Sequence, residues 1–542
     1  MIAEALAIVA ILAMLPLGSA CNGKGRVRLV LDLPDRGNKE LYPMDERLTE
    51  LRLQVHRGGD TVINTAAWSL NMIKVTIGDI DPGPVDSLIL AGYSAEGRLL
   101  AYGRTTGLLV PDGQAINIPL VLRKPISYVT GGGTLLPFDT TKLNDAQILS
   151  PIDISRANQG PGVAVTSTPD GRYVLVAATN PARLVVVDTK TDSPISQGGG
   201  INLSANPKTL AVSPDGQWVV VGMDSGSRHF LTAYAFSDIL SGNQPRGIDY
   251  ELTGSPGPMT FVRRENGILA VEVLVQPWPQ DKSCDQVTPA DTSSVMAFDL
   301  GGSTITQTTQ LDGPASDLTT SLDSAYTFVA EPCEARGQAG PGGVIALIDP
   351  LAGTKKTNYS ADNVRSLAMA GSVVIVGQMN ATTASIDSGA TLQLFTIEVN
   401  NVRQVLAPMP YYEQEITVGD ALEDGTRMGL TLVPRLVLPY AISPAPAGGR
   451  AGILVHAQYQ YTEDSLYVGG QQLPHLTVDT WSYVTVDLAG PNLGNRTLLR
   501  CDVSLPNFQG NALNCGEFSR GEAPNWGSTS YPTDITTLYG VR

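Results

Sequence analysis

Apolar and polar residues alternate with a period of two along much of this chain. The alternation is clear at 51–55 and at 73–77, and this period marks a β-strand with one buried face. Turn-forming residues such as those at 81–84 separate the alternating segments. Residues 25–123 therefore predict about seven short strands, which is typical of an immunoglobulin-like β-sandwich. We expect this domain to occupy residues 21–124, and the whole chain to be all-β.

A repeated segment determines the prediction for the rest of the chain. Residues 168–176 and 213–221 share a Pro-Asp-Gly turn followed by an apolar strand with an aromatic residue, and 321–329 is a looser copy. Acidic residues also close the predicted third strands, about every 49 residues with two longer gaps. They are Asp139, Asp188, Asp238, Asp299, Asp349, Glu398 and Asp487, which we interpret as turn-forming residues. Seven such units predict a seven-bladed β-propeller over residues 125–542.

The two ends of this region predict one shared blade. Residues 126–130 and 134–139 match the second and third strands of a blade, but no first strand precedes them. The chain finishes with an apolar strand at 535–541 that nothing follows. Pairing of this last strand with 126–130 would close the propeller and remove two open sheet edges.

The repeats resemble the YVTN family of seven-bladed propellers. The segment Tyr128-Val129-Thr130-Gly131 nearly spells the motif that names the family, and the resemblance covers about residues 126–542. The resemblance implies the propeller fold. It implies little about activity, because the family spans surface proteins, binding proteins and lactonase-like enzymes.

The N-terminus predicts export. An apolar run at 5–17 is too short to span a bilayer and is followed by Gly18-Ser19-Ala20-Cys21. This segment resembles the lipobox of bacterial lipoproteins, which implies a signal peptide over 1–20 and a lipid on Cys21. By the same resemblance, Asn22 favours a lipid anchor in the bacterial outer membrane. Secretion without a lipid, or a buried strand or helix, are the alternatives.

Composition and the absence of known motifs limit the kinds of partner and cofactor that we expect. The chain has 36 basic and 52 acidic residues and no basic cluster. We therefore expect this acidic protein to be a poor nucleic-acid binder. No CxxC, CxxCH or Cys/His cluster is present, and no GxSxG, HExxH or P-loop motif appears. We therefore expect no cofactor and no metal. The partners that we expect are the membrane, through the N-terminal lipid, and an envelope protein or saccharide.

Extra length relative to the repeat falls in particular loops. The insertions lie at 276–293, 331–342, 410–427, 460–480 and 507–532, all in second-to-third-strand loops or in connections to the next blade. These loops share one face of a propeller. Cys284 and Cys333 occupy equivalent loops of adjacent blades, so we predict one disulfide between them and a second between Cys501 and Cys515. Drift in loops that tolerate extra length is the alternative to function.

The predicted binding face collects aromatic, charged and imidazole side chains from these loops. Its candidate residues are Arg228, His229, Trp278, Tyr411, Tyr412, Glu413, Glu415, His475 and Trp526. Aromatic anchors on loops suit a protein or saccharide interface. We therefore expect a binding or scaffold protein rather than an enzyme. A lactonase-like or other hydrolytic propeller is the alternative, and no catalytic residue can be assigned from the sequence.

Overall fold

The computed structural model describes the chain in segments. The described residues are 25–32, 49–57, 60–67, 74–95, 99–111, 115–121, 124–140, 147–154, 160–189, 191–195, 200–241, 244–264, 268–282, 284–288, 290–302, 305–333, 343–371, 373–381, 389–398, 403–405, 409–410, 414–418, 428–432, 434–445, 450–461, 467–468, 471–472, 476–488, 492–504 and 532–540. Almost every element in these segments is a β-strand. The prediction of an all-β protein is confirmed.

The N-terminal module forms two sheets. Its strands are β1 (Gly25–Asp32), β2 (Glu50–Arg57), β3 (Asp60–Ala67), β4 (Lys74–Ile80), β5 (Gly83–Tyr93), β6 (Leu99–Val110) and β7 (Ala115–Val121). One sheet has the order β4-β1-β7 and the other the order β3-β2-β5-β6. The predicted alternation is present in β2, where Leu51, Leu53 and Val55 are buried and the residues between them are partly exposed.

The rest of the chain begins with the strands of three sheets. Sheet 1 contains β8 (Lys124–Gly131), β9 (Thr134–Asp139), β10 (Gln147–Ile148) and β11 (Ile152–Asp153). Sheet 2 contains β12 (Gly162–Ser167), β13 (Tyr173–Ala178), β14 (Arg183–Asp188), β15 (Ser193–Pro194) and β16 (Ile201–Asn202). Sheet 3 contains β17 (Asn206–Val212), β18 (Trp218–Asp224), β19 (His229–Ala235) and β20 (Ile248–Leu252), with helix α1 (Phe236–Leu240) between β19 and β20.

Three further sheets follow the same order. Sheet 4 contains β21 (Pro256–Arg263), β22 (Leu269–Val275), β23 (Ser294–Asp299) and β24 (Ile305–Gln310). Sheet 5 contains β25 (Asp317–Thr320), β26 (Thr327–Glu331), β27 (Val344–Asp349) and β28 (Thr354–Ser360). Sheet 6 contains β29 (Val364–Ala370), β30 (Val373–Gln378), β32 (Thr391–Glu398), β33 (Arg403–Val405) and β34 (Met409–Pro410), and β31 (Asn380–Ala381) lies between β30 and β32 in the chain.

The last strands complete sheet 7 and return to sheet 1. Two short hairpins pair β35 (Gln414–Val418) with β36 (Met428–Leu432), and β39 (Tyr467–Val468) with β40 (Gln471–Gln472). Sheet 7 contains β37 (Pro434–Pro444), β38 (Arg450–Tyr461), β41 (Leu476–Asp487) and β42 (Asn492–Ser504), and β31 pairs with β37 on the side away from β38. The last strand, β43 (Asp534–Gly540), belongs to sheet 1 and pairs antiparallel with β8.

One strand of each sheet, which we call its inner strand, contacts the inner strands of two other sheets. The inner strands are β43, β12, β17, β21, β25, β29 and β37 for sheets 1 to 7 in turn. Each contacts the next in this order, and β37 contacts β43. The predicted pairing of the chain's last strand is present, with Ile535 opposite Val129 and Leu538 opposite Ile126.

The second strand of each sheet supplies apolar side chains to two separate cores. In β13, Val174 and Val176 pack in the cluster that sheets 1 and 2 share. Leu175 and Ala177 point to the opposite side and pack in the cluster between sheets 2 and 3. A strand that is buried on both faces has a continuous apolar sequence, which explains the runs that follow each Pro-Asp-Gly turn.

The repeated turn has the same hydrogen bonds in its copies. The Ser213 hydroxyl donates to Asp215 Oδ1 at 2.5 Å and accepts from the Trp218 N–H at 2.9 Å. Thr168 and Ser321 make the corresponding contacts in the other two copies. Gly216 has a φ of +72°, which a glycine adopts without strain. The repeat is therefore a self-contained turn that joins the first strand to the second.

One predicted strand end is wrong. Asp238 does not close a strand, because it lies in the first turn of the short helix α1. Phe236 and Ile239 of this helix are buried and join the core between sheets 2 and 3. Burial of these two residues, three positions apart, favours a helical turn where the repeat predicts a strand end.

Two aspartates bridge neighbouring inner strands. Asp534 Oδ2 accepts from the Val165 N–H of β12 at 2.9 Å. Asp317 Oδ2 accepts in the same way from the Leu367 N–H of β29 at 2.8 Å. Each carboxyl also accepts from the N–H of the following residue through Oδ1. These contacts fix β43 to sheet 2 and β25 to sheet 6.

Deletion of residues 534–542 should destabilise several sheets rather than one. It removes the partner of β8 and the contacts that β43 makes with β12 and β37. We expect a lower melting temperature and faster amide hydrogen exchange in β8, β12 and β37. Removal of 541–542 alone is the matched control and should change neither. Faster exchange confined to β8 would contradict this expectation.

A buried carboxyl predicts how stability depends on pH. Glu272 of β22 is 2% exposed, and its Oε2 accepts from the Thr327 hydroxyl of β26 at 2.6 Å. Burial raises the pKa of Glu272 from 4.5 to about 7, and the Thr327 hydrogen bond and Arg264 oppose the rise. The folded state therefore holds this proton more tightly than the unfolded state. Its contribution to stability is complete below about pH 4.5 and is lost as the pH rises through about 7.

Glu272→Gln should flatten this pH dependence. Glutamine keeps an acceptor for Thr327 and carries no charge, so the variant should gain roughly 1–3 kcal/mol over the wild type at pH 8 and little at pH 4. Urea unfolding at the two pH values measures the difference. The control is Glu251→Gln, whose side chain is 74% exposed in sheet 3. Equal slopes for wild type and Glu272→Gln would show that Glu272 does not titrate as stated.

Candidate functional site at one end of the sheets

The predicted insertions share one end of the sheets. Neighbouring strands within each sheet are antiparallel, so the loop from the second to the third strand lies at the same end as the connection from the fourth strand to the next sheet. The strands that flank all five predicted insertions meet at this end. We call it the insertion-bearing end.

A disulfide joins two of these loops. Cys284 lies in a short 3-10 helix (Cys284–Gln286) between β22 and β23, and Cys333 follows β26. Their Cα atoms are 5.5 Å apart and their sulfur atoms are bonded. The predicted Cys284–Cys333 pair is confirmed. The insertion of sheet 4 is therefore covalently attached to the equivalent loop of sheet 5.

Trp278 anchors the sheet 4 insertion from within. Its side chain is 4% exposed, and its indole N–H donates to the Lys282 carbonyl at 3.2 Å. The Lys282 ammonium lies 4.1 Å from the centroid of the same ring. The backbone N–H of Trp278 donates to the carbonyl of Ala315, just before β25. Trp278 was a candidate for the binding face, but its ring is internal and supports the loop instead.

The same insertion acts electrostatically on the inner strands of sheets 6 and 7. Arg365 of β29 is 0% exposed, and no described residue accepts a hydrogen bond from its three guanidinium nitrogens. Burial lowers the pKa of Arg365 to about 10, and the Asp281 carboxylate opposes this shift. Burial, with Asp281 and Asp534, also raises the pKa of Tyr440 in β37. Asp281 therefore acts on residues of two other sheets.

Two inner-strand carboxyls belong to the same electrostatic group. Loss of hydration raises the pKa of Asp317 to about 7, and the charge of Asp534 adds to this rise. Loss of hydration also raises the pKa of Asp534 to about 6. Sequence analysis identified neither residue. Each begins a strand of ordinary appearance, and only the arrangement of the inner strands brings them within range of each other.

Arg365 was also not predicted from the sequence. It lies where the pairing of β29 with β30 shifts register, between Val364 and Ser366. In a regular strand an arginine next to buried valine would point to solvent. The extra residue of a bulge changes the direction of the side chains, and no local pattern signals this one.

Arg228 and His229 follow residues Asp224 to Gly226, which line a cavity of about 580 Å³. Arg228 is in the turn between β18 and β19, and its side chain is 59% exposed with Nε 3.9 Å from Glu251 Oε1. His229 begins β19, with Nδ1 3.4 Å from Asp224 Oδ1. The cavity lies between sheets 2 and 3, and its lining residues are Ala182, Leu203, Ser204, Ala205, Asn206, Lys208, Asp224, Ser225 and Gly226.

Several predicted residues lie outside the described part of the chain. They are Cys21, Tyr411, Tyr412, Glu413, His475, Cys515 and Trp526. Glu415 and Cys501 lie in strands β35 and β42, and their side chains are not described. The lipidation of Cys21 and the Cys501–Cys515 disulfide stay predictions.

The described residues contain neither a metal-binding cluster nor a membrane-spanning helix. Within these residues, no group of three or more His, Cys, Asp or Glu side chains is placed to hold a metal ion. The helix of the described segments is far too short to cross a bilayer, and no long apolar helix occurs in them.

Comparison with known proteins identifies no family. No family model matches the chain, and no curated protein matches it. Among solved structures, the chain is similar to hydrazine synthase from Kuenenia stuttgartiensis, with a TM-score of 0.39 and 13% sequence identity. That similarity covers 55% of this chain and 76% of the other.

Proposed function

We propose that this protein is an exported, lipid-anchored β-propeller that binds an envelope protein or a saccharide through its insertion-bearing end. In this proposal, sheets 1 to 7 are the blades of a closed propeller of the YVTN type, and the N-terminal module is an immunoglobulin-like spacer. The cyclic contacts of the inner strands and the β43–β8 pairing support closure. The lipid on Cys21 would hold the protein in the bacterial outer membrane.

The disulfide Cys284–Cys333 is the observation that carries the binding proposal. Loops that merely tolerate extra length need no cross-link between neighbouring sheets. Here the two loops are bonded to each other, and Trp278 is folded inside one of them with its N–H groups satisfied. This arrangement lowers the entropy cost of ordering the loops when a partner binds. A rigid scaffold that carries ordered loops is the usual basis of a binding surface.

A hydrolytic propeller is the second candidate, and the Asp224–His229 contact beside the cavity favours it. A nucleophile and an oxyanion site would have to complete such a centre. The nearby Ser225 hydroxyl donates to the Arg228 carbonyl and accepts from the Arg228 N–H. This hydroxyl is therefore already engaged in the turn. Asp224 Oδ1 likewise accepts from the Gly226 N–H at 2.6 Å. Because the Ser225 hydroxyl and the Asp224 carboxylate both stabilise this turn, we favour a binding role over a catalytic one.

Lipidation is tested on the mature N-terminus. We expect mass spectrometry to find a diacylated cysteine at position 21 and no residue before it, because the apolar run and the small residues match a lipobox. Cys21→Ser should leave a protein without the lipid, detected as the loss of the diacylglycerol mass from the N-terminal peptide. A mature chain that begins downstream of Cys21 would contradict the proposal.

Partner binding is tested by photocrosslinking in cells at two exposed positions. A photoreactive amino acid at Gln286, in the disulfide-bonded insertion, should crosslink to an envelope component. The same residue at Leu322, which is 65% exposed in the first turn of sheet 5 at the opposite end, is the matched control and should not. The double variant Cys284→Ser/Cys333→Ser should lower the yield from position 286. Crosslinking from 322 alone, or equally from both, would refute a partner at the insertion-bearing end.

A further inference from the structure

The cavity between sheets 2 and 3 has a polar wall and an apolar wall. Ala182, Leu203 and Ala205 supply the apolar side, and Leu203 also packs in the core between the two sheets. The inner strand β17 supplies Asn206 and Lys208. At about 580 Å³ the cavity has the size of a small-molecule site.

Lys208 brings a free positive charge to this cavity. It lies where β17 shifts register against β18, between Pro207 and Thr209. Within the described residues, no carboxylate or carbonyl pairs with its ammonium group, although the chain as a whole is strongly acidic. A lysine ammonium binds carboxylate and phosphate oxygens as a compact point charge.

Asp224 brings a fixed negative charge to the same cavity. Its Oδ1 accepts from the Gly226 N–H at 2.6 Å and lies 3.4 Å from His229 Nδ1, and its Oδ2 accepts from the Ser255 hydroxyl at 3.5 Å. These contacts orient the carboxylate, and a carboxylate has about four acceptor positions in all. The side chain is 19% exposed, so part of it faces solvent.

The two charges line one cavity without forming an ion pair with each other. An inorganic anion would meet the Asp224 carboxylate, and a simple cation would meet the Lys208 ammonium. A molecule that carries both charges satisfies both groups. We propose that this cavity binds a small zwitterion of the α-amino acid class, with its carboxylate on Lys208, its ammonium on Asp224 and an aliphatic side chain against Leu203. Asn206 also lines the cavity, and its amide would add a hydrogen bond to the carboxylate.

This inference is independent of the partner proposed above. None of the cavity's lining residues belongs to the disulfide-bonded loops of sheets 4 and 5. A protein that failed to crosslink at position 286 could still bind a zwitterion between sheets 2 and 3, and the reverse also holds.

Calorimetric titration of the purified full-length protein with each of the twenty standard L-amino acids tests the proposal. We expect at least one aliphatic amino acid, with L-leucine as the reference probe, to bind. The analogues 4-methylpentanoate, which lacks the ammonium, and 3-methylbutylamine, which lacks the carboxylate, should each bind at least about tenfold more weakly. No binding by any amino acid, or equal binding of leucine and either analogue, would overturn the zwitterion site.

Three variants locate the site. Lys208→Gln and Asp224→Asn should each weaken binding at least about tenfold, because each removes one charge that the ligand needs. Asparagine keeps an oxygen for the Gly226 N–H, and an unchanged melting temperature would show that the turn persists. Arg246→Gln is the matched control for Lys208→Gln, since this exposed residue lies in the β19–β20 connection at the opposite end of sheet 3 and its loss removes the same charge. Binding that survives both cavity variants, or falls equally with Arg246→Gln, would overturn the assignment.

Discussion

The antiparallel pairing of β43 with β8 is the contact on which the arrangement of the seven sheets depends. Without β43, sheet 1 has no inner strand, and β12 and β37 each lose a neighbour. The pairing also satisfies backbone groups of β8 that would otherwise form an open sheet edge. Asp534, the first residue of β43, adds a bond to β12. The first and last strands of the region 124–540 thus combine in one sheet, so the stabilities of sheets 1, 2 and 7 depend on one another.

Much of this architecture follows from local sequence. Each Ser/Thr-x-Asp turn satisfies its own hydrogen bonds, so the repeat predicts its position without reference to other sheets. The Cys284–Cys333 pair follows from the equivalence of two loops in adjacent repeats. These features can be predicted from the sequence because their causes lie within one repeat or between two consecutive repeats.

The features that the sequence did not predict have causes in distant parts of the chain. Arg365 is buried at a register shift in β29, and Asp281 of the sheet 4 insertion acts on its charge. Trp278 is internal because its loop folds back on Lys282 and reaches Ala315. The charge of Asp534 raises the pKa of Asp317 although the two residues are far apart in sequence. Composition gives the charges of these residues, but only tertiary packing fixes their exposure and their neighbours.

At the insertion-bearing end, the disulfide-bonded loops of sheets 4 and 5 interact electrostatically with an inner strand. A buried arginine is costly, because water no longer solvates its charge, and this cost appears as the lowered pKa of Arg365. Asp281 offsets part of it from the insertion that Trp278 and Cys284 hold in place. Movement of that insertion away from the inner strands would leave Arg365 with less compensation. The order of the loop and the burial of the arginine are therefore thermodynamically linked: contacts that keep Asp281 in place also favour the buried state of Arg365 in β29.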